Sequence, residues 1–425
     1  MLTNPEERKR LRQEKAQERA RKQAAYRKLW MRLSIAAVVL ITCGVLIFSL
    51  TRKDSQQDAP NVENSQQTPE SSSESKQDAP QSPTTVIHYA AVGDLNINDA
   101  TVAAGGTSYD YTDTFMDVAH LLADADIASV NFEGNLYGEP YGSSFSAPQS
   151  MAVALQKAGV DLVQMANSYA INRGLSGLTS SIDAIRAAGM EPLGVYATNR
   201  EFQARKGYTI RTVQGIKLAF VAFTKGMDGM ALPAGSEDCV NVLYSDYDSV
   251  YQEVNTEKIT SILSAVAKEK PDITIALLHW GSEFNNTISS SQEAIANLML
   301  ANGVDAIIGT HSHYVQKMSF DRNKGQFIAY SLGDFFSDGQ RAGSEYSVVL
   351  DLEITRDNVT GKSQITGYSY TPIFTVHEED KPLKVLRIQE ALDAYESNYL
   401  YKVSPETHSQ MLYAQERIKA RVAGE

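Results

Sequence analysis

The sequence predicts an α/β fold in which a mixed β-sheet is flanked by helices and preceded by a single transmembrane helix. Short apolar runs alternate with amphipathic stretches of helical period, which favours buried strands covered by helices. Two further stretches are typical of antiparallel hairpins, and one uncharged segment near the N-terminus is long enough to cross a bilayer. The 425 residues are 43% hydrophobic, enough for a sizeable core.

The predicted transmembrane helix occupies residues 33–50, an uncharged run of eighteen residues. At about 1.5 Å per residue it spans ~27 Å, close to the hydrocarbon thickness of a membrane. Residues 1–32 carry eleven Lys or Arg against four Glu, which gives +7, and the whole chain carries −12, so the remainder carries −19. This asymmetry places residues 1–32 in the cytosol as a basic arm and the C-terminal domain outside the cell membrane.

A cleaved signal peptide is the alternative to an anchor in the bilayer. The basic region is long for a signal peptide and no small-residue cleavage pattern follows the apolar run, so an uncleaved anchor is favoured. Cys43 lies inside this run and weakly suggests a lipoprotein site, but apolar residues continue beyond it. The other cysteine, Cys239, is far away, so no disulfide is expected within the domain.

Composition divides the remaining chain into three parts. Residues 51–85 are rich in Ser, Gln, Asp, Glu and Pro and predict a disordered extracytoplasmic linker. Residues 86–382 predict the folded domain, and 383–425 a charged helical tail that packs on the domain or meets a partner. The acidic balance argues against nucleic acid as a partner, because polyanions are repelled unless a metal or basic patch intervenes.

The folded domain shows a regular order of elements. Helical patterns cover residues 114–123, 178–188, 255–269 and 292–301. A hairpin is predicted to turn at Gln214-Gly215 and a second antiparallel pair near Asp357-Asn358. The buried strands end at Gly93, Asn131, Asn167, His279, Thr310 and Gly333.

Polar residues of metal-binding type recur at the downstream ends of these strands. Ligands collect at that edge of α/β sheets, and a divalent cation would balance otherwise costly buried carboxylates. The predicted ligands, for one or two ions of Mn²⁺ or a similar divalent metal, are Asp94, Glu133, Asn167, His279, His311 and His313.

The strongest single motif is the pair His311 and His313, two residues apart after an apolar strand. In extended backbone this spacing lets both imidazoles face one cavity. Each signal also has a structural interpretation: the histidines could be ordinary loop residues, Asp94 could cap a turn, and Asn167 could cap a helix. Their joint placement favours the metal site.

Six motifs in this order resemble the CapA family of capsule and poly-γ-glutamate biosynthesis proteins within the metallophosphatase superfamily. The motifs are GDLNI, NFEGNL, ANSYAINRG, HWGSEF, GTHSHYVQ and YSLGDF, within residues 86–376. The resemblance implies a metallophosphatase-like sandwich behind a membrane anchor, with the six ligands above around a divalent metal. It also implies a part in making or exporting an extracellular polymer.

The third motif departs from the family pattern ANNHxxDxG. Tyr169 stands in place of the histidine that protonates the leaving group, and Asn172 replaces the aspartate that orients it. Tyrosine titrates near ~10 and is a weaker acid at neutral pH, so catalysis through these two positions is altered or absent. Asp334 replaces the usual Asn of the last motif and adds a possible negative charge near the site.

Three functions remain open. The first is a metal-dependent polymer-biosynthesis component that binds or hydrolyses an anionic polymer beside synthase or exporter subunits. The second is a non-catalytic assembly or binding factor with a degenerate active site. The third is a metallophosphoesterase on the secreted side, against which the changed third motif argues.

Overall fold

The computed structural model describes residues 83–339, 341–379, 381–397 and 403–425. The predicted basic arm, membrane anchor and all but the end of the linker lie outside the described residues. Among the helices that the structure describes, none combines the length and the apolar character needed to cross a bilayer. The last three linker residues are described, and the first strand already begins at Thr84.

The first sheet has eight strands in the order β14-β13-β12-β1-β2-β3-β4, with β11 beside β1. β1 pairs in parallel with β2 and β11 but antiparallel with β12, so the sheet is mixed as predicted. The strands are β1 (Thr84–Asn96), β2 (Ile127–Glu133), β3 (Leu162–Gln164), β4 (Glu191–Leu193), β11 (Asp334–Phe336), β12 (Tyr346–Asp357), β13 (Ser363–Val376) and β14 (Lys384–Arg387).

The second sheet has six strands in the order β5-β6-β7-β8-β10-β9. β5 and β6 form the predicted hairpin, and Gln214 and Gly215 at its turn both have positive φ, as a tight two-residue hairpin requires. The strands are β5 (Thr209–Val213), β6 (Ile216–Thr224), β7 (Ile273–His279), β8 (Ala306–Thr310), β9 (Met318–Asp321) and β10 (Gln326–Ala329).

Helices cover the outer faces of both sheets. Five of the described helices begin at side-chain caps; for example, Asn255 accepts from the N–H of Lys258 and Ser289 from that of Gln292. The helices are α1 (Asp99–Ala103), α2 (Thr112–Phe115), α3 (Ala119–Ala123), α4 (Ser150–Lys157), α5 (Gly174–Ala187), α6 (Asn199–Arg205), α7 (Thr256–Lys268), α8 (Ser290–Ala301), α9 (Ile388–Glu396) and α10 (Pro405–Ala423).

Three apolar clusters build four layers, helix–sheet–sheet–helix. The middle cluster joins the two sheets, where the rings of Tyr89 on β1 and Phe220 on β6 meet edge to face at 5.6 Å. Side chains alternate along each strand, so the other faces of the sheets bury against α1–α5 on one side and α7 and α8 on the other. This confirms the predicted mixed α/β architecture with flanking helices.

Two predicted elements differ from the structure. The single helix expected over residues 114–123 is two short helices, α2 and α3, separated at residues 116–118. The tail expected to be helical from residue 383 begins with β14, which pairs antiparallel with β13, and turns helical only at Ile388. This strand has only four residues, two apolar and two basic, which is too short a signal for periodicity to separate from helix.

Candidate metal centre

The site lies where the carboxyl ends of strands from both sheets meet. β1 and β11 approach closely there, because the N–H of Asp94 donates to the carbonyl of Gly333 at 3.0 Å. A Cβ on Gly93 would lie 1.8 Å from that same carbonyl oxygen, so this crossing requires glycine. Glycine before each carboxylate thus lets Asp94 and Asp334 stand side by side in register.

One triad of potential ligands consists of Glu133, His279 and His311. Each offers an atom within 4.8 Å of the others, and all three side chains are buried. Oε1 of Glu133 lies 3.2 Å from Nε2 of His279, and the rings of His279 and His311 have centroids 4.4 Å apart. One carboxylate and two imidazoles within this distance make a suitable ligand set for a first-row divalent ion.

A second triad consists of Asp94, His313 and Asp334, again with ligand atoms within 4.8 Å and fully buried. Nδ1 of His313 lies 2.8 Å from Oδ1 of Asp334 and 3.8 Å from Oδ2 of Asp94. The other contact of Asp94 Oδ2 is the backbone N–H of His311, which donates at 2.9 Å. The two triads are therefore adjacent, and Asp94 and His311 link them.

His311 and His313 belong to different triads, which corrects the expectation of an extended backbone. Their φ angles are 88° and 58°, in the left-handed region that non-glycine residues seldom adopt. The chain therefore turns at each histidine, and the ring centroids lie 6.4 Å apart. Strained backbone of this kind persists only where the surroundings enforce it, and it concentrates at functional sites.

Asn167 lies beside the triads and positions a neighbour, and its role as a ligand stays a prediction. Its Nδ2 donates to Oδ1 of Asn131 at 3.1 Å and to the carbonyl of Phe132 at 2.7 Å, while its Oδ1 accepts the N–H of Tyr169. The amide of Asn131 in turn lies 2.6 Å from Oδ1 of Asp94 and 3.3 Å from Oε1 of Glu133. Asn131 shares the NFE motif with Glu133, and its spacing of two residues on a strand could have indicated the same face.

Burial dominates the electrostatics of the carboxylates and of two histidines. It raises the pKa of Asp94 to about 6, partly offset by His313, and raises the pKa of Glu133 well above its ordinary value, with further help from Asp94. Burial also lowers the pKa of His279 and of His311 well below the usual range. These two imidazoles are therefore neutral near pH 7, the form in which histidine binds metal.

His313 behaves in the opposite way. Burial alone would lower its pKa, but the charge and hydrogen bond of Asp334, with Glu133 and Asp94 behind, raise it well above the usual range. Three carboxylates thus surround one imidazole. In the metal-free protein His313 carries the compensating positive charge for this cluster.

The donor set fits a divalent metal. The three carboxylates of the triads are each no more than 3% exposed, and Nδ1 of His311 is buried without a hydrogen-bond partner among the described residues. A buried polar atom without a partner and adjacent buried carboxylates are both unfavourable unless a cation binds. Carboxylate oxygen and imidazole nitrogen suit Mn²⁺, Fe²⁺ or Zn²⁺, so the ligands leave the ion's identity open.

The two residues predicted as catalytic are placed differently. Tyr169 is half-buried, its ring stacks on Phe145 at 4.4 Å, and it borders the same hollow as Glu133 and His313. Burial, followed by Glu133, raises its pKa further above the ordinary value, so it stays protonated. Asn172 uses its backbone N–H on the carbonyl of Tyr169, and among the described residues its side chain makes no hydrogen bond to the tyrosine.

Two hollows open onto the triads. One, of about 200 Å³, is bordered by Glu133, His313, Asp334, Tyr169 and Arg341. The other, of about 240 Å³, is bordered by residues that include His311, Ser168, Lys225, Tyr251 and Glu283.

Ser168 and Lys225 are site residues that the sequence analysis did not single out. Ser168 Oγ lies 3.1 Å from Nε2 of His279. Lys225 directly follows β6, and its N–H donates to the carbonyl of His279. The rule that identified the ligands, a polar residue just beyond a buried strand, applies to Lys225 equally well.

Fold and site together define a class: a mixed α/β protein of two packed sheets with a buried cluster of carboxylates and histidines that fits a divalent-metal centre. Over residues 88–339 the chain matches the family described as bacterial capsule synthesis protein PGA_cap. This match covers more than half of the sequence and includes every residue of both triads. The chain belongs to this family of capsule synthesis proteins.

Curated relatives agree with this assignment. The capsule biosynthesis protein CapA of Bacillus anthracis is 27% identical over 263 residues, which cover 60% of this chain and 60% of that protein. The PGA biosynthesis protein CapA of Bacillus subtilis is 23% identical over 296 residues, covering 68% of this chain and 73% of that protein. The resemblance expected from the six motifs is confirmed.

Solved structures overlap more loosely. A phosphatase from Mycoplasma pneumoniae gives a TM-score of 0.43 at 14% identity, covering 68% of this chain and 94% of that one. A putative 5'-nucleotidase from Staphylococcus aureus gives 0.42 at 11% identity, covering 78% and 58%. The chemistry of the present chain therefore has to be argued from its own residues.

Proposed function

We propose that this protein takes part in assembling or exporting an anionic capsule polymer of the poly-γ-glutamate type, through a divalent-metal centre held by the two triads. The observation that carries the proposal is the pairing of two buried ligand triads, which the hydrogen bond from His311 N–H to Asp94 links. Two ions of Mn²⁺ or a similar metal would each have one triad, with Glu133, His279 and His311 around one and Asp94, His313 and Asp334 around the other. Bound metal would supply positive charge for an anionic substrate and could activate water.

The membrane arrangement is part of the proposal. Residues 33–50 would anchor the chain in the bilayer with residues 1–32 in the cytosol, and the metal centre would face the extracytoplasmic side, beside synthase or exporter subunits. Support comes from the uncharged run and the basic excess before it. This placement would bring the site to the side of the membrane where an exported polymer emerges.

A binding role without hydrolysis is the second candidate. It is favoured by Tyr169, whose raised pKa makes it a poor proton donor at the hollow beside Glu133. In this version the metal centre binds and orients the polymer, and bond cleavage is slow or absent. The same ligands serve both versions, so metal binding is the property to test first.

The test combines metal content with polymer production. Full-length protein purified in detergent is expected to retain divalent metal by elemental analysis, and His311→Ala to lose most of it, whereas His377→Ala, an exposed histidine away from the triads, keeps it. In cells lacking the gene, wild type and His377→Ala restore surface polymer and His311→Ala does not. Full metal content in His311→Ala, or full polymer without metal, would refute the proposal.

A further inference from the structure

The two hollows beside the triads are lined by successive residues of the same two loops. Ser168 borders one hollow and Tyr169 the other, while Glu283 borders the first and Phe284 the second. Neighbouring residues of each loop thus face neighbouring spaces, with the triads between them. The two hollows therefore adjoin the same two loops, and each borders ligands of the triads. We call the pair of hollows the groove and each hollow a compartment.

Size supports a single elongated ligand. Each compartment, at about 200 and 240 Å³, falls below the ~300 Å³ at which small-molecule pockets ordinarily begin, whereas the two volumes taken together exceed it. A terminal phosphate or a single amino acid would fill one compartment. A chain of two or more units is needed to fill both.

Each compartment contains one basic side chain held against an aromatic ring. Nζ of Lys225 lies 4.7 Å from the ring centroid of Tyr251 and donates to the carbonyl of Gly281 at 2.9 Å. The guanidinium of Arg341 lies 4.0 Å from the ring centroid of Phe284. The rings fix the position of each charge at modest energetic cost.

Neither cation forms an ion pair with a carboxylate among the described residues, although acidic side chains border both compartments. Lys225 is half-buried, and burial lowers its pKa although Glu283 opposes the shift. A half-buried ammonium with one carbonyl partner still has two N–H donors to offer. Asp228, Glu283 and Asp338 also border the groove, so an anionic ligand requires the metals for net attraction.

We infer that the groove binds an extended anionic chain across the metal centre, with one charged group on Lys225 and another, farther along the chain, on Arg341. This inference rests on the proposed function, because the metals make the groove attractive to anions. It assigns Lys225 and Arg341 the role of substrate-binding residues that select a chain over a single unit. Carboxylate is the chemical class we test, since γ-linked glutamate carries one on every unit.

The experiment measures binding of γ-linked glutamate, as single residue and as tetramer, to manganese-loaded full-length protein by calorimetry. We expect the tetramer to bind at least roughly tenfold more tightly than the single residue, because both cations engage it. Lys225→Gln and Arg341→Gln are each expected to weaken tetramer binding roughly tenfold at unchanged manganese content. Lys268→Gln, a change of the same charge at the exposed end of α7, should bind like wild type.

Two further measurements separate charge from folding. Lys225→Arg keeps the positive charge, so it should retain more affinity for the tetramer than Lys225→Gln does. Any loss of packing is common to both variants and does not explain a difference between them. A γ-linked isoglutamine tetramer, in which a neutral carboxamide replaces each α-carboxylate, should bind no more tightly than single glutamate.

The outcomes distinguish the two proposals. Wild-type protein that holds no manganese removes the proposed function and this inference with it. Wild type that holds manganese but binds single residue and tetramer equally, binds neither, or is unaffected by both glutamine variants overturns this inference alone.

Discussion

Asp94 on β1 and Asp334 on β11 are register partners across two parallel strands, and both carboxylates are buried. Like charges placed opposite each other are destabilising in a sheet, and burial increases the cost. His313, 2.8 Å from Asp334, compensates part of this charge. Binding of a cation between the two carboxylates would remove this cost, so the pair is best explained as one half of a cation site.

Asp334→Asn is expected to lower manganese affinity by roughly tenfold, the scale typical of removing a charged group at a metal centre. An asparagine keeps an oxygen donor but loses the charge. In the metal-free variant the pKa of His313 should fall, because Asp334 makes the largest contribution opposing the effect of burial. Titration calorimetry measures the affinity, and NMR of the imidazole measures the pKa.

Asp351→Asn is the matched control for this change. Asp351 also pairs with a histidine, His88, at 3.0 Å, but on the partly exposed face of the first sheet. Its loss should leave manganese affinity unchanged. Equal affinity in Asp334→Asn and wild type would show that Asp334 takes no part in the site.

Manganese affinity should rise with pH between 5 and 8, because Asp94 contributes up to about pH 6 and the raised pKa values of Glu133 and His313 extend the rise. Metal ligands must be deprotonated, and in the metal-free protein Asp94 holds its proton up to about pH 6, because burial raises its pKa. Each displaced proton changes the affinity by about tenfold per pH unit below the relevant pKa. His279 and His311, whose pKa values are lowered, are already neutral and add no dependence in this window. A flat affinity profile would contradict the assignment of Asp94.

The same shifts predict that metal-free protein loses stability as pH rises above about 6.5. Below that value the lowered pKa values of His279 and His311 act in the opposite direction, because the unfolded chain binds protons there that the folded histidines do not bind. Folding retains a proton on Asp94 that the unfolded chain releases above its ordinary pKa of 3.8, so this stabilisation is lost from about pH 4 through about pH 6. The raised pKa of His313 acts in the same direction, since its stabilisation is lost as pH rises through the folded value. Thermal unfolding with chelator and with manganese should therefore diverge more at pH 8 than at pH 5.

Most of the candidate site could be predicted from local sequence, because the rule used, a polar residue at or just beyond the end of a buried strand, needs no knowledge of the fold. Glu133 and His279 end their strands, and His311 follows one directly, so a buried apolar run located each of them. Their convergence then followed from the general geometry of α/β sheets. The order of the strands within the two sheets was not needed for this prediction.

The division into two triads could not be predicted in the same way. It depends on left-handed backbone at His311 and His313 and on the register of Asp94 with Asp334, strands separated by more than two hundred residues. Nothing in the local pattern specifies either. Positive φ at a histidine is held by tertiary contacts, here the bond from His311 N–H to Asp94, and such contacts are non-local.

Gly93→Ala should destabilise the protein by about 1–3 kcal/mol and reduce its metal content. The added Cβ would overlap the carbonyl oxygen of Gly333, so β1 and β11 must separate and carry Asp94 and Asp334 apart. Denaturant unfolding measures the first effect and elemental analysis the second. Gly367→Ala on β13, where a Cβ comes no closer than 3.9 Å to the nearest atom, serves as the control and should leave both unchanged.

Tyr169→His tests whether the missing acid limits hydrolysis. Wild-type protein loaded with manganese is expected to cleave a phosphodiester with an alkoxide leaving group slowly, because that group needs a proton and the Tyr169 hydroxyl holds its proton strongly in the hollow beside Glu133. A positioned general acid contributes about 10²–10⁴-fold, so a histidine at this position should raise the rate of hydrolysis by at least the lower figure.

Tyr169→Phe is the control, because it keeps the stack on Phe145 but lacks the hydroxyl, and its rate of hydrolysis should not rise. Among the described residues the Asn172 side chain makes no hydrogen bond to Tyr169. Adding Asn172→Asp to the histidine variant therefore tests whether a carboxylate at this position orients the imidazole. If neither the single nor the double variant exceeds wild type at full manganese content, Tyr169 does not limit hydrolysis, and a binding role for the metal centre is the better explanation.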